Sequence, residues 1–288
     1  MNKWLSGGLL LCAGVLLGAL GVQLTEQWTH NEPVDRPSTA VARVQVHTLA
    51  MPSLNRERAV RVYLPPSYAD NTERHYPVLY LHDGQNLFDE ATSFLGEWSL
   101  DETLDALAVS HGLEIIAIGI DNGAELRAQE LIPWPHPELP VAEGDRYLDF
   151  IEKTLKPWAD NRFRTRTAAE HTAILGSSLG GLISHYAAHT RPQLFGKAGV
   201  LSPSYWVSEQ SFAMTQPNGV HQRLLFLMGE KEGGSMVPDF DRMQQLMRAT
   251  NTEDTLLFHT VAHGQHNETL WRTHLGWVLL WLFPGATY

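Results

Sequence analysis

Gly176-Ser177-Ser178-Leu179-Gly180 matches Gly-x-Ser-x-Gly, a pattern that can present a serine hydroxyl as a nucleophile. A strand that turns sharply into a helix leaves its central residue strained and projecting. The positions two before and two after it approach neighbouring backbone, so both favour glycine. Gly176 and Gly180 meet that need, and Gly181 relaxes the turn further. The helix behind Ser178 would aim its first N–H groups at an anion forming there. Five residues alone fit an ordinary Gly-rich turn with a solvated serine equally well. The flanks favour the nucleophile. Ala173-Ile174-Leu175 reads as a strand buried on both faces, and Leu179, Leu182, Ile183, Tyr186 and Ala187 fall on one helical face.

A serine at its free pKa needs a base, and the base needs an orienting group. Ala262-His263-Gly264-Gln265-His266 offers two histidines after the last strand. Gly229-Glu230-Lys231-Glu232 offers two carboxylates, with Asp239 and Asp241 as alternatives. The order serine, acid, histidine is that of α/β-hydrolases. The Leu179 N–H supplies one oxyanion donor, and the loop holding Gly84-Gln85 is placed to supply the second. Each candidate also fits a plainer role: either histidine as a capping residue, the glutamates as surface charges, Asp83-Gly84 as a simple turn. Metal chemistry is not expected. His185 and His189 are four apart, but Tyr186 stands where a zinc protease needs glutamate, and both histidines are assigned to the outer helix surface. His259, His263 and His266 could converge on an ion, but their strand-to-loop path does not define a ligand set. No cofactor is implied.

These residues need a frame. Strands are expected at Ala42 to His47, Ala59 to Leu64, Pro77 to Leu81, Leu113 to Ile120, Ala173 to Leu175, Ala198 to Leu201, Leu224 to Met228 and Thr255 to Val261. Helices are expected near Leu100 to Val109, Asp145 to Trp158, behind Ser178, Asp239 to Ala249 and Asn267 to Leu282. A Pro/Trp-rich loop spans Asp121 to Gly144. Such alternation gives an α/β fold, a mostly parallel central sheet with helices on both faces and an antiparallel edge at its start. Ligands then bind beyond the carboxyl ends of the strands. Trp98, Arg127, Glu130, Trp134 and Trp206 fall in loops there and are candidates to line the substrate site. Aromatic walls suit an aryl or sugar-bearing ester; rim packing accounts for the tryptophans equally well.

The chain has 288 residues, enough for one large α/β domain or two small ones, and a net charge of −11 with no basic cluster. A nucleic-acid partner is therefore not expected. Lys3 precedes an apolar run from Trp4 to Val22, and Ala19-Leu20-Gly21 offers a cleavage site. Residues 1–22 read as a signal peptide or an N-terminal membrane anchor, since the run is long for one and short for the other. Residues 23–40 read as a linker and 41–288 as the catalytic domain. The expected location is exported, either periplasmic or secreted, with a membrane tether if the segment stays uncleaved. Cys12 is the one cysteine and lies in the apolar run, so the exported domain has no disulfide or thiol nucleophile. The sequence does not fix an oligomeric state.

Several stretches jointly resemble the α/β-hydrolase family that includes esterase D-like, siderophore-lactone, feruloyl and acetyl-xylan esterases, and more distantly the mycolyltransferases. They are Tyr80-Leu81-His82-Asp83-Gly84-Gln85-Asn86-Leu87-Phe88, Trp98-Ser99-Leu100-Asp101-Glu102, Ile118-Gly119-Ile120-Asp121-Asn122-Gly123, the Ser178 turn, Leu201-Ser202-Pro203-Ser204-Tyr205-Trp206 and His266-Asn267-Glu268-Thr269-Leu270-Trp271. The resemblance covers about Val41 to Phe283. It implies Ser178 as nucleophile, His266 rather than His263 as base, Glu232 as acid and the Gln85 N–H as second oxyanion donor. The acid here is glutamate where many relatives have aspartate. The implied activity is serine carboxylic-ester hydrolysis of a small molecule, with siderophore lactones and aryl or acyl sugar esters as candidates. The acidic balance argues against a ferric tris-catecholate. Acyl transfer to a carbohydrate, and a non-catalytic envelope binding module, are the alternatives.

Overall fold

The computed structural model describes residues 36–215, 222–249 and 254–285. The apolar N-terminal run and most of the 23–40 segment lie outside the described residues. Residues Ser38–Tyr288 form a compact unit distinct from Met1–Pro37. No helix among the described residues is long and apolar enough to cross a membrane.

The centre is an eight-stranded sheet in the order β1-β2-β4-β3-β5-β6-β7-β8. Its strands are β1 (Val44–Met51), β2 (Arg56–Tyr63), β3 (Val78–His82), β4 (Ile116–Ile120), β5 (Thr172–Ser177), β6 (Lys197–Leu201), β7 (Arg223–Gly229) and β8 (Leu256–Val261). β1 and β2 are antiparallel to each other, and β2 is antiparallel to β4; the rest of the sheet is parallel. β3, β4 and β5 are buried along their whole length, which is why they read as continuous apolar runs. β1 is an edge strand with most residues at least partly exposed, so its alternation is weak and its expected limits fall several residues early.

Seven helices cover the sheet among the described residues: α1 (Leu100–His111), α2 (Arg127–Leu131), α3 (Gly144–Phe150), α4 (Lys156–Arg162), α5 (Leu179–Thr190), α6 (Met236–Arg248) and α7 (Glu268–Leu282). A wider π-helical stretch, Ile151–Leu155, joins α3 to α4, so the helix expected near Asp145 to Trp158 is one run through Arg162. α2 interrupts the expected loop of Asp121 to Gly144; its five residues are too few to show a period. α1 and α7 share one apolar core, with Leu104, Leu107, Leu275 and Leu279 against Leu79, Ala117 and Leu227. α3 to α6 share the other, with Leu148, Ile183 and Met243 against Tyr80, Ile118 and Phe226.

α5 departs from the sequence expectation on one face. From Leu179 to Ala188 every residue is buried, because both the sheet and the segment after β6 lie against it. His185 is therefore 1% exposed rather than on the outer surface, and its Nδ1 pairs with the Tyr205 hydroxyl at 2.8 Å. Burial lowers its pKa to about 3 from 6.5, and burial likewise lowers that of His82 to about 4. Both are neutral when folded. Their contribution is intact above pH 6.5, where the unfolded histidines are also neutral, and is lost as pH falls toward the folded values. Each costs about 1.4 kcal/mol per pH unit below 6.5. Urea midpoints should drop steadily between pH 7 and pH 5, with a shallower slope for His185→Gln; a flat wild-type profile would remove these histidines from the acid response.

Candidate active site

Ser178 sits between β5 and α5 with φ 60° and ψ −123°, a conformation that L-residues disfavour. The turn holds because its N–H donates to the Leu201 carbonyl (2.9 Å) and its carbonyl accepts from Leu182 N–H (3.0 Å). A Cβ on Gly176 would lie 2.7 Å from the Gly180 carbonyl group and 2.7 Å from the His82 ring. Glycine is thus required there by close approach, as the spacing predicts. The N–H groups of Leu179 and Gln85 have no protein acceptor among the described residues.

At the adjacent strand ends, Glu232 and His266 meet. Glu232 is 7% exposed and follows β7. His266 Nδ1–H donates to Glu232 Oε2 at 2.7 Å, which leaves Nε2 as the basic nitrogen. The other oxygen, Oε1, accepts the Ser202 hydroxyl at 2.6 Å and the Gly229 N–H at 2.8 Å. Ser202 is fully buried and accepts the Trp271 indole N–H at 2.9 Å. The Trp271 ring also stands edge-on to His266, with centroids 5.1 Å apart. His263 goes elsewhere: its side chain is 85% exposed, and its N–H donates to Glu230. Asp239 accepts from the Ser235 hydroxyl at the start of α6. His259 packs against Trp277 and His274, so the three histidines of β8 and its loop do not converge.

The Ser178 hydroxyl lies 3.3 Å from that of Ser204, its hydrogen-bond partner among the described residues. No hydrogen bond joins Ser178 to His266 among the described residues; such nucleophile–base bonds commonly form only when substrate is present. Ser202 and Ser204 flank Pro203 after β6, so one short segment touches the acid and the nucleophile in turn. The sequence alone assigns no role to Ser202, Ser204 or Trp271. Nothing in their types announces hydrogen bonds between residues 30 to 70 positions apart.

On the other side of the turn, Asp83 takes a left-handed conformation (φ 56°) at the end of β3. Its carboxylate accepts from Arg127 Nε (2.6 Å), Arg127 Nη2 (2.8 Å) and Asn122 Nδ2 (2.6 Å). Burial alone would raise its pKa; the guanidinium and amide outweigh that and hold it below the usual value. The Gln85 side chain accepts from Asn122 N–H, fixing the turn that carries the Gln85 N–H. Asp83-Gly84 is therefore a braced turn.

Of the expected substrate residues, Arg127 and Trp206 remain at the surface. Arg127 is tied to Asp83 and 24% exposed. Trp206 is 42% exposed and stands perpendicular to His136, 5.4 Å away. Trp134 is partly buried and packs edge-on against Tyr186. Trp98 and Glu130 are corrections. Trp98 is 5% exposed and packs on Trp271 in the core, because α1 and α7 close over it. Glu130 is 1% exposed and accepts from Arg58 (2.7 Å) and Arg56 (2.8 Å), so its charge is used in an internal ion-pair cluster.

The strand order, the strained serine between β5 and α5, and an acid–histidine pair after β7 and β8 define the α/β-hydrolase class. Residues 51–281 match the family model described as "Putative esterase", and the chain belongs to that family of carboxylic-ester hydrolases. It is 29% identical over 188 residues to the uncharacterized protein YbbA of Bacillus subtilis, covering 61% of this chain and 69% of that one. It is 36% identical over 140 residues to a siderophore triacetylfusarinine C esterase of Aspergillus fumigatus, covering 45% and 44%. The alignment thus spans less than half of that esterase. The crystal structure of the BES protein from Bacillus cereus superposes with a TM-score of 0.72 at 17% identity, covering 88% of this chain and 99% of that one, a likeness of fold.

Proposed function

We propose that the chain is an exported serine esterase whose catalytic residues are Ser178, His266 and Glu232. The observation that carries this reading is the 2.7 Å bond from His266 Nδ1 to a buried carboxylate, beyond the carboxyl ends of the parallel strands, where β5 ends in the strained Ser178 turn. With Nδ1–H committed to Glu232, Nε2 is the nitrogen able to take a proton. His266 removes the Ser178 proton as the oxygen attacks the ester carbonyl. The Leu179 and Gln85 N–H groups receive the oxyanion, each contributing on the order of 3 kcal/mol to the barrier. His266 then protonates the leaving alcohol, and water releases the acyl group by the reverse path.

Export is supported by the apolar run from Trp4 to Val22. A siderophore lactone is supported as a substrate class by the Aspergillus relative, and an aryl ester by the exposed Trp206 beside His136. The test is the intact mass of the purified full chain after a fluorophosphonate, beside Ser178→Ala. One adduct per chain, absent from the variant, is expected, followed by turnover on an ester panel that includes a siderophore trilactone. Folded wild-type protein that stays unlabelled would reject the assignment, and an adduct surviving in Ser178→Ala would move it to another serine.

A further inference from the structure

Three carboxylates meet at the start of α1, outside the set formed by Ser178, His266 and Glu232. Glu97, Asp101 and Glu102 each place an oxygen within 4.8 Å of those of the other two. Glu97 is 6% exposed and Asp101 0%, whereas Glu102 is exposed and opens the group to solvent. Each buried carboxylate is half satisfied. The Thr39 hydroxyl donates to Glu97 Oε2 at 3.0 Å, and the Val41 N–H donates to Asp101 Oδ2 at 2.8 Å. The second oxygens, Glu97 Oε1 and Asp101 Oδ1, are buried and accept no hydrogen bond among the described residues. The nearby Arg272 directs Nη1 to the Glu97 backbone carbonyl (2.8 Å) and not to a carboxylate.

A buried carboxylate with an unfilled oxygen is neutralised either by a proton or by a cation, and among the described residues neither Glu97 nor Asp101 has a cationic side chain as partner. The set is all oxygen, which suits a hard cation and excludes the softer transition metals as preferred occupants. Ligands of calcium lie at about 2.3–2.6 Å and so up to about 5 Å apart across the ion, while magnesium holds its oxygens at about 2.0–2.1 Å in a near-ideal octahedron. A cluster of carboxylates on a loop and a helix start, with one member open to solvent, suits the flexible, higher coordination of calcium better than the rigid octahedron of magnesium.

We propose that Glu97, Asp101 and Glu102 bind a calcium ion, with water completing its shell on the Glu102 side. The ion would tie down two segments. The chain before β1 reaches the group through Thr39 and Val41. The loop after β3 reaches it through Trp98 N–H to the Asn86 carbonyl (2.8 Å) and Leu100 N–H to the Leu87 carbonyl (2.9 Å), directly behind the Gln85 turn.

The test uses the full chain, stripped with EDTA and desalted at pH 7.5. Thermal melts with 1 mM CaCl2, 1 mM MgCl2 or NaCl at matched ionic strength should show a rise of about 5 °C with calcium, reaching saturation as a site does. Glu102→Gln, on the exposed side and safe for folding, should lose the rise; Glu57→Gln, an exposed acid on β2, should keep it. Terbium emission excited through the adjacent Trp98 should appear in the wild type, be displaced by calcium and be absent in Glu102→Gln. No calcium shift in the wild type, a shift from magnesium alone, or an equal shift in Glu102→Gln would each overturn the proposal. Stabilisation by acidification alone would show that a proton fills the site instead.

Discussion

Glu232→Gln should lower kcat by about three to four orders of magnitude with KM little changed. The size follows from what surrounds Oε1. Ser202 accepts from the Trp271 indole, so its own proton must go to Oε1, and the Gly229 N–H points to the same atom. Two donors demand an oxygen there. In the variant the amide oxygen takes that place and the NH2 group faces His266. Nδ1 must then accept, the proton moves to Nε2, and the base is in the wrong tautomer for Ser178. Removing Ser202 or the Trp271 N–H should cost less, tens of fold, because each acts through Glu232. Steady-state kinetics on a chromogenic acyl ester, with circular dichroism to confirm the fold, would check the series. A loss under tenfold in Glu232→Gln would detach this carboxylate from the reaction.

The second large effect is on stability. Glu130→Ala should destabilise the protein by about 3–5 kcal/mol, since it leaves Arg58 as a buried charge without its partner. Arg58 is 6% exposed, and its remaining contact is to the Asp121 carbonyl at 3.0 Å. Arg56 keeps Glu143 at 2.6 Å and would not compensate. For a domain of this size that corresponds to a fall in Tm on the order of 10 °C. The folded enzyme should keep its KM, which separates this role from the substrate-binding one its place in the sequence suggests. A raised KM with unchanged Tm would restore the latter.

Glu130 also shows where sequence reading stops. Its place in a Pro/Trp-rich loop between a strand end and a helix is legible, but its partners lie on β2, more than 70 residues away, and no local period encodes that pairing. Trp98 fails for the same reason, since its burial depends on α1 and α7 meeting. His185 reads as an outer-surface residue by its spacing, but from Leu179 to Ala188 the helix is covered by the sheet on one side and the segment after β6 on the other. What was legible is what short-range sterics dictate. The buried parallel strands read as apolar runs, the Ser178 turn as glycines at fixed offsets, and the order of acid and histidine as loops after β7 and β8. Even there, the residues left the histidine open between 263 and 266. The family motif pointed to His266, and the structure pairs His266, not His263, with Glu232.

Asp83, Ser178, Ser202 and His263 share one property. Each is a side-chain-bearing residue held at φ between 46° and 60°, at or just beyond the end of β3, β5, β6 or β8. Each such conformation is disfavoured by on the order of 1–3 kcal/mol. None relaxes in place while the strand leading into it stays fixed by its neighbours. The sheet interior therefore acts as a clamp on a row of sprung turns. When heat or a distant substitution loosens that clamp, the turns are the first parts to gain by letting go. Loss of activity should thus run ahead of loss of fold, and a gain in rigidity far from Ser178 should lengthen the working life of the enzyme more than it raises the temperature at which the chain unfolds.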